Sequence, residues 1–272
     1  MSRAANTQIE ALVTSADVGG YTLPPELVAA YGLLVAVKTL VIPPPQALDP
    51  DTAAARIVTA TADGKPVDLM ALAAEVAEIE LGKQRHEQAL HIMALAIEQA
   101  GERAQHLASD IVEQVITQHL RPALEQVYEQ TREVAAVLAG QPLDTGALLA
   151  APAKVRAAYL RLPELLARRS AIFTARRWIN TLGYREAKHD GTGLYSEFER
   201  PLALSPQWKP PMRIPPIPAP ADPTARLLWI VSEQAAPARP WLPTIAEQDT
   251  AWLAQFGPEA RARGHESTRA LA

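Results

Sequence analysis

Two carboxylate–imidazole pairs stand at one-turn spacing in this chain, Glu87 with His91 and Glu102 with His106. Residues four apart share a face of a helix, so each pair could offer two ligands to one metal ion. The di-iron bundle pattern uses three-residue spacing and adds glutamates from facing helices. No second set accompanies these pairs. They therefore read as solvated helix surface, and a metal-dependent helical-bundle enzyme is the alternative that would use them. Glu186, His189 and Asp190 form a second polar cluster, beside Gly191-Thr192-Gly193. That loop lacks the third glycine of a dinucleotide fingerprint and the lysine of a phosphate-binding loop, so it reads as a turn. There is no HExxH motif and no G-x-S-x-G elbow. The absence of cysteine removes thiolate ligands, disulfides and a thiol nucleophile together. The expectation is a protein that is not an enzyme, with no catalytic residue, cofactor or metal assigned.

The residues that could bind rather than react are basic and aromatic. Lys154 to Lys188 carries nine bases against two acids, while Pro66 to Gly140 carries twelve acids against five bases. Arg168, Arg169, Arg176 and Arg177 stand near Trp178, and arginines interleaved with aromatics are one footprint of nucleic-acid binding. The competing expectation is that these arginines pair with carboxylates of the acidic segment just upstream and cover apolar surface with their stems. Four further aromatic anchors, Trp208, Trp229, Trp241 and Trp252, fall in the C-terminal third. Twelve prolines between Pro201 and Pro243 make that third an arm, extended and polyproline-like around Lys209–Pro220. Large aromatics on such an arm act as anchors in pockets, on the same chain or on a neighbour.

The elements that must position these residues read as mainly helical. Pro24, Pro25 and Glu26 open a helix carrying Leu27, Tyr31 and Leu34, and Pro43-Pro44-Pro45 stops it. Ala55–Thr61 reads as a short strand or a helix end. From Pro66 the apolar residues Leu69, Leu72, Val76, Ile79, Leu90, Met93, Ile97, Ala100 and Ala104 fall at steps of three and four, which is one helix stripe. Lys83 and His86 form a polar seam in that stripe. The phase slips after Ile111, and a second stripe runs from Leu120 to Leu138, with Pro122 at its start. The segment is either one rod or a hairpin folded at Gly82 or Gly101. Residues 145–160 and 163–182 read as two helices separated by Pro163. Leu227–Val231 reads as a strand or an anchor, and Thr244–Phe256 as a helix.

Four regions follow: an N-terminal helical region (1–65), an acidic amphipathic rod or hairpin (66–140), a basic helical region (141–200), and the proline-rich arm with a short helix (201–272). The longest apolar stretch, Leu27 to Ile42, is broken by Lys38 and falls short of the roughly 20 residues of a membrane span. Met1–Glu10 lacks the basic-then-apolar pattern of a secretory leader. A cytoplasmic protein is expected, or a virion component if phage-encoded. Low aromatic content (5%) with abundant alanine buries little area per residue, which favours help from a partner. The leading expectation is a structural or assembly protein, a homo-oligomer or part of a larger complex, joined through its helices and arm. Nucleic-acid association through residues 154–188 is the alternative.

Overall fold

The computed structural model describes residues 3–44, 50–63, 65–139, 150–183, 195–206 and 217–256. The fold is mainly α, with one long helix and no strand among the described residues. In chain order the helices are α1 (Arg3–Gly19), α2 (Pro25–Lys38), α3 (Pro50–Ala62), α4 (Leu69–Asp110), α5 (Val112–Gln114), α6 (Arg121–Leu138), α7 (Ala153–Gly183), α8 (Pro223–Ile230) and α9 (Ile245–Phe256). A π-helical turn, Val115–Leu120, joins α5 to α6. Short 3₁₀ turns occupy Pro201–Ala203 and Ala236–Ala238. The chain divides into two compact units, one from Met1–Ala29 with Ala104–Ala272, the other from Ala30–Arg103.

The first unit holds nearly all of the buried apolar side chains. Its helix α7 packs against both α1 and α6. Leu162, Leu165, Ile172 and Ile179 of α7 are fully buried, as are Ile9 and Leu12 of α1 and Leu124 and Val127 of α6. Each such side chain contributes roughly 1.5–3 kcal/mol on leaving water. That sum explains why α7 runs unbroken through Pro163, against the two-helix expectation. A mid-helix proline costs about 3 kcal/mol, and several buried residues on either side of it outweigh that. Pro163 itself points to solvent.

The helix α1 went unread in the sequence, and its end is well specified. Gly20 has φ of +64°. Its N–H donates to the Asp17 carbonyl (3.3 Å), and the Tyr21 N–H donates to the Ala16 carbonyl (3.2 Å). This is a Schellman motif, in which a left-handed glycine satisfies the last carbonyls. The Tyr21 hydroxyl then donates back to the Leu12 carbonyl at 2.8 Å and lies 2.7 Å from the Ser15 hydroxyl.

The phase slip after Ile111 has a structural counterpart. Ile111 leaves helical geometry (φ −111°, ψ 13°), and the π turn follows, with the Arg121 N–H reaching back to the Ile116 carbonyl. Such a turn inserts a residue and rotates the apolar face. Pro122 then sits in the first turn of α6, where a missing N–H costs least.

In the second unit, Ala55–Thr61 is part of α3 and not a strand. Thr59 and Thr61 donate their hydroxyls to the carbonyls of Ala55 and Ile57, at 2.8 Å each. Such back-bonding is how a threonine hydroxyl inside a helix finds a partner. Helix α4 begins at an Asp68 cap, whose carboxylate accepts from the N–H groups of Met70 and Ala71 at 3.0 Å. It continues through Gly82 and Gly101, so over Leu69–Asp110 the rod expectation replaces the hairpin. His86, at the polar seam, makes a 3.0 Å hydrogen bond between its Nδ1 and the Pro43 carbonyl. No described helix is long and apolar enough to cross a membrane.

Candidate functional site

The arginines of α7 are the first candidates, and Arg168, Arg169 and Arg176 are bound within their own unit. Arg168 donates to the side-chain oxygens of Gln130 (2.9 Å) and Gln126 (3.0 Å) on α6. Arg169 is paired with Glu197 and lies 4.6 Å from the centre of the Phe173 ring. The other Glu197 oxygen accepts from Arg226 of α8 at 2.7 Å. Burial opposes the Arg169 charge, but Tyr128 and Glu197 favour it, and the balance holds the group above its ordinary value. Arg176 is buried and donates its Nε to the Pro243 carbonyl (2.7 Å) and an NH2 to Gln248 (2.6 Å). Burial pulls this guanidinium down to about 10, with Glu247 resisting, so it stays charged near neutrality.

The arm is therefore clamped by arginines of the helical core. Arg121 of α6 adds two bonds to the Leu242 carbonyl (3.2 and 3.1 Å) and an ion pair to Glu247 at 2.6 Å. Glu247 also accepts from the Thr244 N–H (2.8 Å), while Thr244 Oγ accepts from the Glu247 N–H (3.2 Å). This capping box opens α9. Arg121, Glu197, Arg226 and Glu247 were missed as site residues. The Thr244-x-x-Glu247 spacing was the one sequence signal that could have found part of the set.

The upstream segment is only part of the basic helix's surroundings: it supplies Gln126 and Gln130 to Arg168. The carboxylates that receive Arg169 and Arg226 come from Glu197, and the acceptors for Arg176 come from the arm, not from acids of residues 66–140. Arg177 is exposed and Trp178 half-buried.

The tryptophans divide similarly. Trp229 and Trp252 are buried in their own chain, and Trp229 meets Phe198 edge-on at 6.1 Å. Trp241 is half-buried and donates its Nε1 to the Tyr195 carbonyl at 2.8 Å. Around it, Phe198 and Pro240 form an isolated antiparallel bridge. The arm thus anchors inward, where a latch onto a neighbour was expected. Trp208 lies outside the described residues, as do Glu186, His189, Asp190, the Gly191–Gly193 loop, and most of Lys209–Pro220.

The carboxylate–imidazole pairs stay apart. Glu87, His91, Glu102 and His106 are all exposed on α4. Among the described residues no three histidines, aspartates or glutamates gather at metal-holding distance.

The second candidate is the surface of Ala30–Arg103. Among its described apolar residues only Leu34 and Ala100 are fully buried. Leu33, Val35, Leu40 and Val41 around the end of α2, Val58 on α3, and Leu69, Met70, Leu81, Leu90, Ile92 and Leu95 on α4 are exposed. Between Leu69 and Gln99 no side chain is fully buried. A chain of this kind leaves apolar area in water that a partner would cover. Comparison with protein-family models, with curated proteins and with solved structures finds no match to the chain.

Proposed function

We propose that this chain is a structural subunit that builds a larger assembly by self-association, and that Ala30–Arg103 is the part that associates. One observation carries the reading. The unit from Met1–Ala29 and Ala104–Ala272 buries a conventional core, while Ala30–Arg103 leaves half of its described large apolar side chains exposed and fully buries only Leu34 among them. Exposed apolar surface on this scale marks interaction sites. The arm has a supporting role in this reading, since Trp229 and Trp241 are engaged with Phe198 and Tyr195 of the same chain and Glu247 with Arg121. A virion particle is one such assembly.

Nucleic-acid association is the weaker reading, because Arg168, Arg169 and Arg176 already have partners within the chain. It requires binding to DNA or RNA that weakens steeply with salt, as counterion release dictates.

Light scattering coupled to size exclusion tests the proposal on the full chain across a concentration series. A defined oligomer that dissociates on dilution supports it. A monomer at every concentration refutes it.

A further inference from the structure

Helix α4 carries apolar side chains on two opposite sides, one half-buried except at Leu69 and Leu90, the other exposed. At ~100° per residue, the 3–4 stripe of Leu72, Val76, Ile79, Lys83, His86, Met93 and Ile97 lies on one side, and these side chains are half-buried. Met70, Ala74, Ala77, Leu81, Ile92 and Leu95 lie roughly opposite, within ~40° of one line along the helix. Met70 is 80% exposed, Leu81 44%, Ile92 65% and Leu95 44%. Gln84, Gln88 and Gln99 complete this face, and no charged residue falls on it between Met70 and Gln99. Met70, Leu81 and Ile92 are eleven residues apart. That repeat matches ~3.67 residues per turn and keeps a seam almost straight along a helix.

The charges beside this face choose its occupant. Glu80, Glu87 and Glu98 lie along one flank, with Arg85, Arg103 and one acid, Glu78, along the other. Each arginine follows a glutamate by five residues, Glu80 to Arg85 and Glu98 to Arg103. When two identical helices pack in parallel and in register, the flank of one meets the opposite flank of its partner one step further on. This is the arrangement in which flanking charges of coiled coils pair. Glu80 then meets Arg85 of the second copy, and Glu98 meets Arg103, twice each by symmetry. Between Met70 and Gln99 no acid meets an acid, while Glu102, three residues past Gln99 on the same side, faces its own copy. An antiparallel pair instead sets the glutamate flank against itself. Among the described residues Glu80 pairs with Lys83 of its own helix, at 2.6 Å on the surface.

We infer that the Met70–Gln99 face of α4 is the seam of a parallel homodimer, closed by Glu80–Arg85 and Glu98–Arg103 pairs between copies. The inference rests on the self-association proposed above and adds the partner, the face and the direction. The glutamines in the seam exact some stability but favour one register.

The cysteine-free chain gives a direct test. The full-length L81C and I92C variants are oxidised separately under mild conditions, with V58C, exposed on α3, as a collision control. Positions 81 and 92 are ~16 Å apart along the helix. Both single variants form disulfide dimers only if the copies are parallel and in register, because a disulfide needs its Cα atoms within about 7 Å. The expected result is efficient cross-linking of L81C and I92C and little of V58C. Cross-linking at only one of the two positions means an antiparallel pair and overturns the inference. Cross-linking of V58C to the same extent means random collision and also overturns it. No cross-link in a chain that still scatters as an oligomer overturns this seam but leaves self-association standing, whereas a monomeric chain removes both.

Charge exchange checks the flanks. E80R and R85E should each weaken dimerisation about tenfold or more, because like charges then meet twice. The double variant E80R/R85E should restore it, although it does not restore the Glu80–Lys83 contact. A double variant as weak as the singles overturns the pairing.

Discussion

Glu197 holds two arginines, and its removal should loosen the arm from the core. One oxygen receives Arg169 and the other receives Arg226 at 2.7 Å. The side chains of Glu197 and Arg169 are 17% and 15% exposed, whereas Arg226 is 38% exposed. The Arg169 pair is therefore mostly out of water, and breaking one side of such a pair costs about 3–5 kcal/mol when burial is complete. Glu197→Gln keeps an acceptor and the shape, so about 2–3 kcal/mol is expected. Arg226→Ala removes a pair that solvent screens, for about 1 kcal/mol or less. Replacing both buried partners, as in Arg169→Met with Glu197→Leu, should recover much of the loss, since no charge is then stranded.

The assay follows from where the fluorophores lie. All five tryptophans, Trp178, Trp208, Trp229, Trp241 and Trp252, fall outside Ala30–Arg103. Urea unfolding followed by tryptophan fluorescence therefore reports the arm-bearing unit separately, which matters because two units need not unfold together. The expected order is Glu197→Gln well below wild type, with Arg226→Ala close to it. If Arg226→Ala costs as much as Glu197→Gln, or Glu197→Gln costs nothing, Glu197 is a surface residue and the clamp does not hold the arm.

Glycine substitutions should separate by position. Gly20→Ala forces a side chain into a positive-φ site and puts its Cβ 2.7 Å from an Arg168 nitrogen, so a loss of about 1–2 kcal/mol is expected in the same melts. Gly32→Ala and Gly82→Ala meet nothing within 4 Å on their helices and should stabilise by up to about 1 kcal/mol, read by helical circular dichroism. Thr244→Ala removes the cap of α9 and should cost about 1 kcal/mol. Burial raises the Tyr21 phenol to about 12, with the Ser15 bond acting against it, and burial also pushes Tyr128 and Tyr195 upward. The unfolded phenol titrates near 10, so the folded state holds its proton more tightly between these values. The stabilisation is complete below about pH 10 and is lost as pH rises through 12, by up to about 2 kcal/mol for Tyr21. Absorbance titration of tyrosinate in wild type and Tyr21→Phe checks this, and a difference spectrum with an ordinary phenol midpoint contradicts it.

The legible elements were those whose signals are local. Pro24 and Pro25 announced α2, the 3–4 stripe announced α4, and the slip after Ile111 marked a real change of helix. Ile245–Phe256 formed as read. The break at Pro163 was misread, while Ala55–Thr61 and Leu227–Val231 took the second of the two readings each had, a helix end and a buried anchor. Pro163 stays inside α7 because buried leucines and isoleucines surround it. Ala55–Thr61 is the end of α3, where Thr59 and Thr61 bond back to carbonyls one turn earlier. Leu227–Ile230 is helical behind an Asp222 cap, whose oxygen accepts from the Ala225 N–H at 2.7 Å, with Pro223 in the first turn. That cap was present in the sequence, as was the Gly19-Gly20 stop of α1. The arginine partners were not legible, since Arg169 and Glu197 are joined only by the tertiary fold.

The open face of α4 escaped the sequence for a different reason. A search for three-and-four spacing finds the strongest stripe and assigns the remainder to solvent. Here the remainder contains Met70, Leu81, Ile92 and Leu95, set at elevens and threes among alanines and glutamines, so that no short window looks amphipathic twice. A helix needing one covered side would carry charges opposite it. This one confines its charges mainly to the two flanks, where Glu80 and Glu98 face one way and Arg85 and Arg103 the other. Stability of the isolated chain gains nothing from that order, because exposed charges spread over the outer face would keep it equally soluble. Two covered sides do require it, since charge can then stand only at the margins. The charge pattern of α4 thus argues for a second partner independently of the exposed area, and the two observations fail separately if the seam is elsewhere.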